Sequence, residues 1–216
     1  NYTNKYSANL PGAGYGNQSI MYWFIFWQPN ADLDWLKNYW QNGQVGRKIE
    51  YPYSSFPENP YAIAYQFLNR TNRNGITGNA QVNYAFSKNL NLLVRYSHDW
   101  SEEARAQKRP YDAGSRLVKG SLRTQDIRGL ESTADFLLRY DKTLSSDWKM
   151  GVSAGGSTLT NKYNRVELRA DSLKVPDGYF FENAAGEVLR IPWRSKYVIN
   201  SFYGVVNASY KDYLFF

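Results

Sequence analysis

The strongest constraint on the fold is a period of two in the placement of apolar side chains. Residues 79–86 alternate apolar with polar or small side chains, and residues 90–97 largely repeat the pattern after a turn at 87–89. Such alternation places successive side chains on opposite faces of a strand, and two alternating segments across a short turn form a hairpin. The arrangement recurs twice further along the chain, so we predict strands at about 77–86, 90–100, 133–142, 148–156, 199–210 and 214–216.

The connections between these strands alternate in length. Turns at 87–89, 143–147 and 211–213 are short, whereas segments 101–132 and 157–197 are long and rich in charge, Gly, Pro and Asn. Outer-membrane barrels combine short periplasmic turns with longer extracellular loops. The sequence therefore predicts an all-β fold, a segment of a transmembrane antiparallel β-barrel, with extracellular loops at 101–132 and 157–197.

The alternation also predicts which side chains face lipid and which face the lumen. Apolar side chains at the even positions of these strands are expected to face lipid, namely Val82, Val94, Phe136 and Val152. Polar side chains at the odd positions are expected to face the lumen, namely Gln81, Arg95, Arg139 and Lys149. Aromatic residues near both strand ends are typical of membrane interfaces, although Tyr and Trp also favour strands in general.

Composition excludes several other classes of protein. The longest apolar run, residues 20–27, is too short for a membrane helix, whereas a barrel strand needs only about 9–11 residues. The chain has no cysteine and a single histidine, His98, which excludes thiolate sites and His-based metal clusters or triads. Net charge is +7, but the basic residues are scattered or lie in predicted loops, so we expect no nucleic-acid partner.

The first part of the chain differs from the rest. We predict an extracellular loop region over residues 1–75, with barrel hairpins over 76–216. A short helix is expected near 32–40, where Asp32 is suited to cap the helix and Leu36 to lie on its apolar face. Prolines at 52, 57 and 60 argue against regular structure until about residue 61.

Aromatic side chains outside the clean strands are the candidate functional residues. Tyr and Trp rings stack on sugars and peptides, although they also serve to pack loops against each other. The candidates for contact with a ligand or partner protein are Trp23, Trp27, Trp35, Trp40, Tyr61 and Trp193. The neighbouring carboxylates Glu102 and Glu103 resemble solvated loop charges rather than an acid–base pair, so we expect no enzyme, cofactor or metal.

Several segments resemble the SusC/RagA family of outer-membrane nutrient importers. The similar segments are residues 32–40, 58–61, 68–73, 78–79, 88–92, 200–204 and 207–215, of which the last two form the most distinctive stretch. The resemblance covers most of the chain from about residue 20, and the order and spacing of the segments are more specific than any one of them.

The resemblance implies a 22-stranded TonB-dependent transporter in the outer membrane of a Gram-negative bacterium of the Bacteroidota. It also implies a SusD-like lipoprotein lid, oligosaccharide or peptide cargo, and energy from the TonB-ExbB-ExbD complex through parts of the protein absent from this sequence. We interpret the chain as a segment of a longer polypeptide, since it lacks the plug, the TonB box and most strands. The alternative is a secreted soluble β-sandwich that binds glycans or acts as an adhesin.

Overall fold

A computed structural model describes residues 1–10, 19–21, 25, 32–51, 58–114, 118–211 and 214–215. These residues form one seven-stranded antiparallel sheet whose strands lie side by side in chain order. The strands are β1 Tyr2–Ser7, β2 Leu68–Ala85, β3 Leu90–Tyr111, β4 Lys119–Thr143, β5 Trp148–Ala170, β6 Leu189–Tyr210 and β7 Leu214–Phe215. An α-helix, α1, spans Pro60–Gln66, and 3₁₀ helices span Asp34–Lys37 and Phe181–Asn183.

The strand register is unbroken across the sheet. Every cross-strand pair joins two even-numbered or two odd-numbered residues. Because side chains alternate along a strand, even-numbered residues of all seven strands lie on one face and odd-numbered residues on the other. We call these the even face and the odd face.

The two ends of the sheet carry different connections. Residues 86–89 and 144–147 connect strands at one end, which we call the turn end. The opposite loop end carries the described residues of 8–67, 112–118 and 171–188. Of the loop-end connections, 171–188 is long, whereas 112–118 spans only seven residues.

An apolar band crosses the turn-end half of the even face. One cross-strand row of it runs Val82, Val94, Phe136, Gly156 and Phe202. Gly156 is buried, but the four side chains of this row lie open, and Phe202 is 84% exposed. The four residues predicted to face lipid all lie on the even face, and the four predicted to face the lumen all lie on the odd face. The register confirms this separation of the two groups.

The strands are longer than predicted, and the predicted loops are correspondingly shorter. Most of 101–132 continues β3 to Tyr111 and begins β4 at Lys119, and most of 157–197 belongs to β5 and β6. The prediction was wrong because it required an apolar face. In the loop-end half both faces are largely polar, and backbone ladders with cross-strand polar pairs hold the strands instead.

The N-terminal region also contains structure that the sequence analysis did not predict. β1 pairs with β2 through residues 2–7, within the predicted loop region. The helix expected near 32–40 is only a 3₁₀ turn at Asp34–Lys37, although Asp32 Oδ1 accepts from Asp34 N at 2.8 Å and Leu36 is buried. Pro60 does not prevent a helix but starts α1, since proline at the first helical position has no amide hydrogen to satisfy.

Two small cores pack the loop end. The first loop core is formed by Ile49, Ala62, Ile63, Phe67 and Ala113. The second loop core is formed by Leu122, Ala170, Leu173 and Ala184. Each core joins a long connection to strand ends, so the loop-end segments are anchored to the sheet.

No helix within the described ranges is both long and apolar enough to span a membrane.

Candidate functional site

The loop-end half of the odd face is strongly cationic. We define the cationic band as six residues that lie there on β1 to β5, namely Lys5, Arg73, Arg105, Arg123, Arg165 and Arg169. The carboxylates on this part of the face are Glu103 and Glu167. The turn-end half of the same face is nearly balanced, with Arg95, Arg139 and Lys149 against Asp99, Glu131, Asp135 and Asp141. Positive charge is thus concentrated towards the loop end.

Both carboxylates of this region are held by neighbouring donors. Glu103 accepts from Arg105 Nε at 2.5 Å and Nη2 at 2.9 Å, and from Thr71 Oγ1 at 2.9 Å. Glu167 is only 2% exposed and accepts from Arg123 Nη2 and Gln125 Nε2, each at 2.7 Å. Charge-assisted hydrogen bonds of this kind fix the guanidinium groups of Arg105 and Arg123 in place.

The cations of this band crowd one another. Arg123 and Arg169 lie directly opposite each other across β4 and β5, an arrangement that destabilises a sheet when the charges are alike, and each is ion-paired with a carboxylate, Glu167 and Asp171 respectively. Buried Nε atoms of Arg123 and Arg165 have no hydrogen-bond partner among the residues that the structure describes. Arg165 lies opposite Trp193, which is 57% exposed on β6. Guanidinium groups beside an exposed ring suit a ligand that carries carboxylates.

Asn59 organises the first loop core. Its side-chain Oδ1 caps α1 by accepting from Tyr61 N at 2.9 Å and Ala62 N at 3.3 Å. Its Nδ2 donates to Leu36 O at 3.1 Å and Glu50 O at 2.9 Å. Asn59 is fully buried. Its side chain therefore links three parts of the loop end, namely the 3₁₀ helix at Asp34–Lys37, the backbone at Glu50 and the first turn of α1.

Glu58 is a buried carboxyl beside this core. It is 2% exposed, and its Oε2 has no hydrogen-bond partner in the described part of the chain. Burial raises the pKa of Glu58 to about 7, a hydrogen bond from Tyr51 opposes the rise, and nearby Asp112 adds to it. The protonation state of this loop-end carboxyl therefore changes near neutral pH.

The fold has relatives among solved structures. The chain matches a structure of the RagAB peptide transporter with a TM-score of 0.62 and 13% identity, over 79% of this chain and 19% of that one. It also matches the RagAB peptide importer in the closed-closed and open-open states, with a TM-score of 0.58 for each. Identities there are 15% and 16%, over 79% and 81% of this chain and 19% and 20% of those.

The chain has the fold of part of these transporters. This confirms the predicted fold class, an all-β antiparallel segment of a barrel. The chain spans about a fifth of the length of the chains it matches. No protein-family model matches the sequence, and neither does any curated protein.

The predicted aromatic site residues fall in two places in this transporter-like fold. Trp35, Trp40 and Tyr61 lie around the first loop core, where Trp40 is half-buried against it and Trp35 is exposed beside buried Leu36. Trp193 lies far along the chain, on β6 next to the cationic band. Trp23 and Trp27 lie outside the described residues. Of the four candidates that lie among the described residues, only Trp40 packs against the first loop core. The role of all six as ligand or partner contacts stays a prediction.

The cationic band was missed because its residues were assigned to loops. A signal was present in the sequence, since Glu103 and Arg105, like Arg165, Glu167 and Arg169, recur with a period of two. Charged residues that recur with a period of two indicate a strand with one charged face, just as apolar residues with that period indicate a strand with one apolar face. Among the residues described, no three His, Asp or Glu side chains form a group that could hold a metal ion.

Proposed function

We propose that the chain is a wall segment of an outer-membrane importer, with the even face towards lipid and the odd face towards the lumen. The observation that carries this proposal is the apolar band on the turn-end half of the even face, with a largely polar odd face behind it on β2 to β5, in a chain with the fold of part of a peptide transporter. Barrels of the outer membrane alternate apolar residues outward with polar residues inward along each strand.

The apolar band has dimensions that suit a bilayer. On β5 and β6 it extends from Trp148 and Tyr210 at the turn end to Thr160 and Val198. Twelve residues of strand span about 40 Å, which at a tilt of about 40° gives roughly 30 Å along the membrane normal. This matches the hydrocarbon thickness of a bilayer.

The open even face argues against the rival function, a soluble β-sandwich that binds glycans. A sandwich buries one face of each sheet against the other. The described residues form a single sheet, and large apolar side chains on its even face, such as Phe202, Val206 and Val82, are exposed. A second layer to cover this face is absent from the part of the chain that the structure describes.

The proposals for cargo and partners are supported by the similarity to solved peptide transporters and by the sequence resemblance to SusC/RagA importers. Similarity to peptide transporters favours peptide over oligosaccharide cargo, and the cationic band favours peptides with acidic side chains. The resemblance to SusC/RagA importers supports a SusD-like lipoprotein over the loop end and energy from the TonB-ExbB-ExbD complex. In this arrangement Trp23, Trp27, Trp35, Trp40, Tyr61 and Trp193 are proposed to contact the lid or the cargo.

Cysteine labelling of the intact protein on whole cells tests the membrane orientation. Gly186→Cys in the connection 171–188 should react with an impermeant reagent, and Lys88→Cys in the turn 86–89 should not. Gly186 suits this purpose because a Cβ there meets nothing within 4 Å. Gly114 does not, since its φ is +81° and a Cβ would lie 2.9 Å from Glu58 Oε1. Labelling of Lys88→Cys without labelling of Gly186→Cys would show that the orientation is the reverse of the one proposed.

Uptake of matched peptides tests the cargo. Cells that carry the intact protein should import an acidic peptide, and the double variant Arg165→Gln with Arg169→Gln should import it about tenfold more slowly. The matched control, Arg139→Gln with Lys149→Gln, removes the same charge from the turn-end half of the odd face and should have little effect. A peptide with Gln in place of Glu should be imported equally by all three proteins. Failure of the wild type to import any peptide or oligosaccharide would contradict the proposed function.

A further inference from the structure

A second group of cations lies on the even face, at the loop-end border of the apolar band. We call it the lysine cluster and define it as Lys162 on β5 with Arg194 and Lys196 on β6. Lys162 and Lys196 are directly opposite each other in the register. On the even face they are the next residues beyond Thr160 and Val198 towards the loop end, where the apolar band ends. Like charges directly opposite in a sheet destabilise it unless something neutralises them.

The protein itself does not neutralise the lysine cluster within the described ranges. Lys162, Arg194 and Lys196 are exposed, and they form no hydrogen bond or ion pair with any residue that the structure describes. The nearby Arg128 is different, because its Nε lies 2.9 Å from Glu102 Oε1. Three uncompensated positive charges thus gather on one patch of this face.

The patch is a shallow, open groove. Its volume is about 650 Å³, and its lining includes the lysine cluster together with Trp100 and Leu130 of the even face. Trp100 and Leu130 form the next positions of the same cross-strand row. A Trp ring beside cations at the edge of an apolar surface is typical of the membrane interface, where the indole lies at the level of the lipid headgroups.

We propose that the lysine cluster binds the phosphate of a lipid headgroup in the outer leaflet of the membrane. This inference depends on the orientation given under the proposed function, in which the even face meets lipid. The apolar band spans the hydrocarbon, so the lysine cluster lies at headgroup depth on the loop-end side. There the acyl chains lie along residues such as Val198 and Phe202, while the phosphate meets two ammonium groups and one guanidinium fork.

Phosphate suits this groove better than the carboxylates that the cationic band favours. A phosphate monoester carries close to two negative charges and three acceptor oxygens, which suits three converging cations without a compensating carboxylate. The lysine cluster and the cationic band lie on opposite faces of the sheet. Cargo in the lumen therefore does not reach the lysine cluster.

Lipid binding to the intact protein in phosphatidylcholine nanodiscs tests the proposal. The probe is lipid A with its phosphates, compared with the same lipid after dephosphorylation, and native mass spectrometry counts the bound molecules. Wild-type protein should bind the phosphorylated lipid about tenfold more tightly, and this preference should weaken as salt rises. The triple variant Lys162→Gln, Arg194→Gln and Lys196→Gln should lose the preference.

A matched control removes the same charge at the turn end, through Lys88→Gln, Lys142→Gln and Lys211→Gln, and should keep the preference. Equal binding of the two lipids by the wild type would overturn the proposal, as would a preference that survives in the triple variant. Displacement of the lipid by inorganic phosphate alone would show an anion site that is not specific for lipid, and would also overturn it. If the protein inserts with the expected cysteine labelling but shows no phosphate preference, the lipid site fails and the importer proposal stands. If the labelling fails, the importer orientation fails with it.

Discussion

The orientation of the two faces can be tested with one pair of substitutions on β6. Val205 and Val206 are adjacent residues of the same type, yet they lie on the odd and even faces respectively. Both are open in the structure, with exposed fractions of 47% and 66%. Replacement of each by Arg therefore makes the same chemical change at nearly the same depth, on opposite sides of the wall.

The expected difference follows from the position of Val206 in the apolar band. On β6 the band extends from 198 to 210, so its centre is near residue 204 and Val206 lies about 5 Å from the midplane. An Arg near the midplane on the lipid side costs about 2–4 kcal/mol. Val206→Arg should therefore lower the folding equilibrium constant by a factor of roughly 30 to 1,000, whereas Val205→Arg, in the aqueous lumen, should change it little.

Reversible urea unfolding of the intact barrel in lipid vesicles measures both variants, and the fraction of folded protein in outer membranes gives the same comparison in cells. Comparable losses for the two variants would refute the assignment of the faces. A larger loss for Val205→Arg would invert it.

Three further predictions concern close packing and the first loop core. Gly155→Ala should destabilise the barrel by about 1–3 kcal/mol, because a Cβ there would lie 2.7 Å from the backbone oxygen of Phe136; Gly78→Ala, with nothing within 4 Å of its Cβ, should be neutral or slightly stabilising in the same urea assay. Asn59→Ala should lower the protection of α1 amides against hydrogen exchange by about 1–2 kcal/mol, through loss of the cap. Asn59→Asp should not rescue it, because it retains the cap acceptor but places a buried carboxylate oxygen against the backbone oxygens of Leu36 and Glu50. The pKa of Glu58 is about 7 in the folded loop, against an ordinary value of 4.5 when the loop is unfolded. As pH rises from about 4.5 to about 7, Glu58 therefore loses its proton in the unfolded loop first, which stabilises the unfolded state. Amide protection of α1 should fall over that range. Glu58→Gln should remove that slope, and a slope that persists would assign it to another group.

The turn-end half of the sheet could be predicted from the sequence because one face of its strands is apolar. Val82, Val94 and Phe136 supply that face, and their period of two is visible without any structure. The loop-end half could not be predicted in the same way. Residues such as Glu102 and Arg128 are charged on the even face as well, and they pair only after β3 and β4 have come together.

The residues of the candidate site likewise divide into those that could be predicted from the sequence and those that could not. Trp193 could be singled out because an aromatic residue in a predicted loop is conspicuous. Its neighbour across the strands, Arg165, could not, because the pairing of β5 with β6 is a long-range feature. Asn59 and Glu58 are local in sequence, but their importance depends on burial by segments that are distant along the chain.

Because the register is unbroken, insertion of an odd number of residues into a strand has a different effect from insertion of an even number. One residue inserted into β4 would turn Phe136 to the odd face and Asp135 to the even face, together with every residue beyond the insertion up to the next connection. Two inserted residues would restore both faces and displace the strand end by only about 7 Å. Divergence in length is therefore expected to accumulate freely at 112–118 and 171–188, and within the strands only in steps of two.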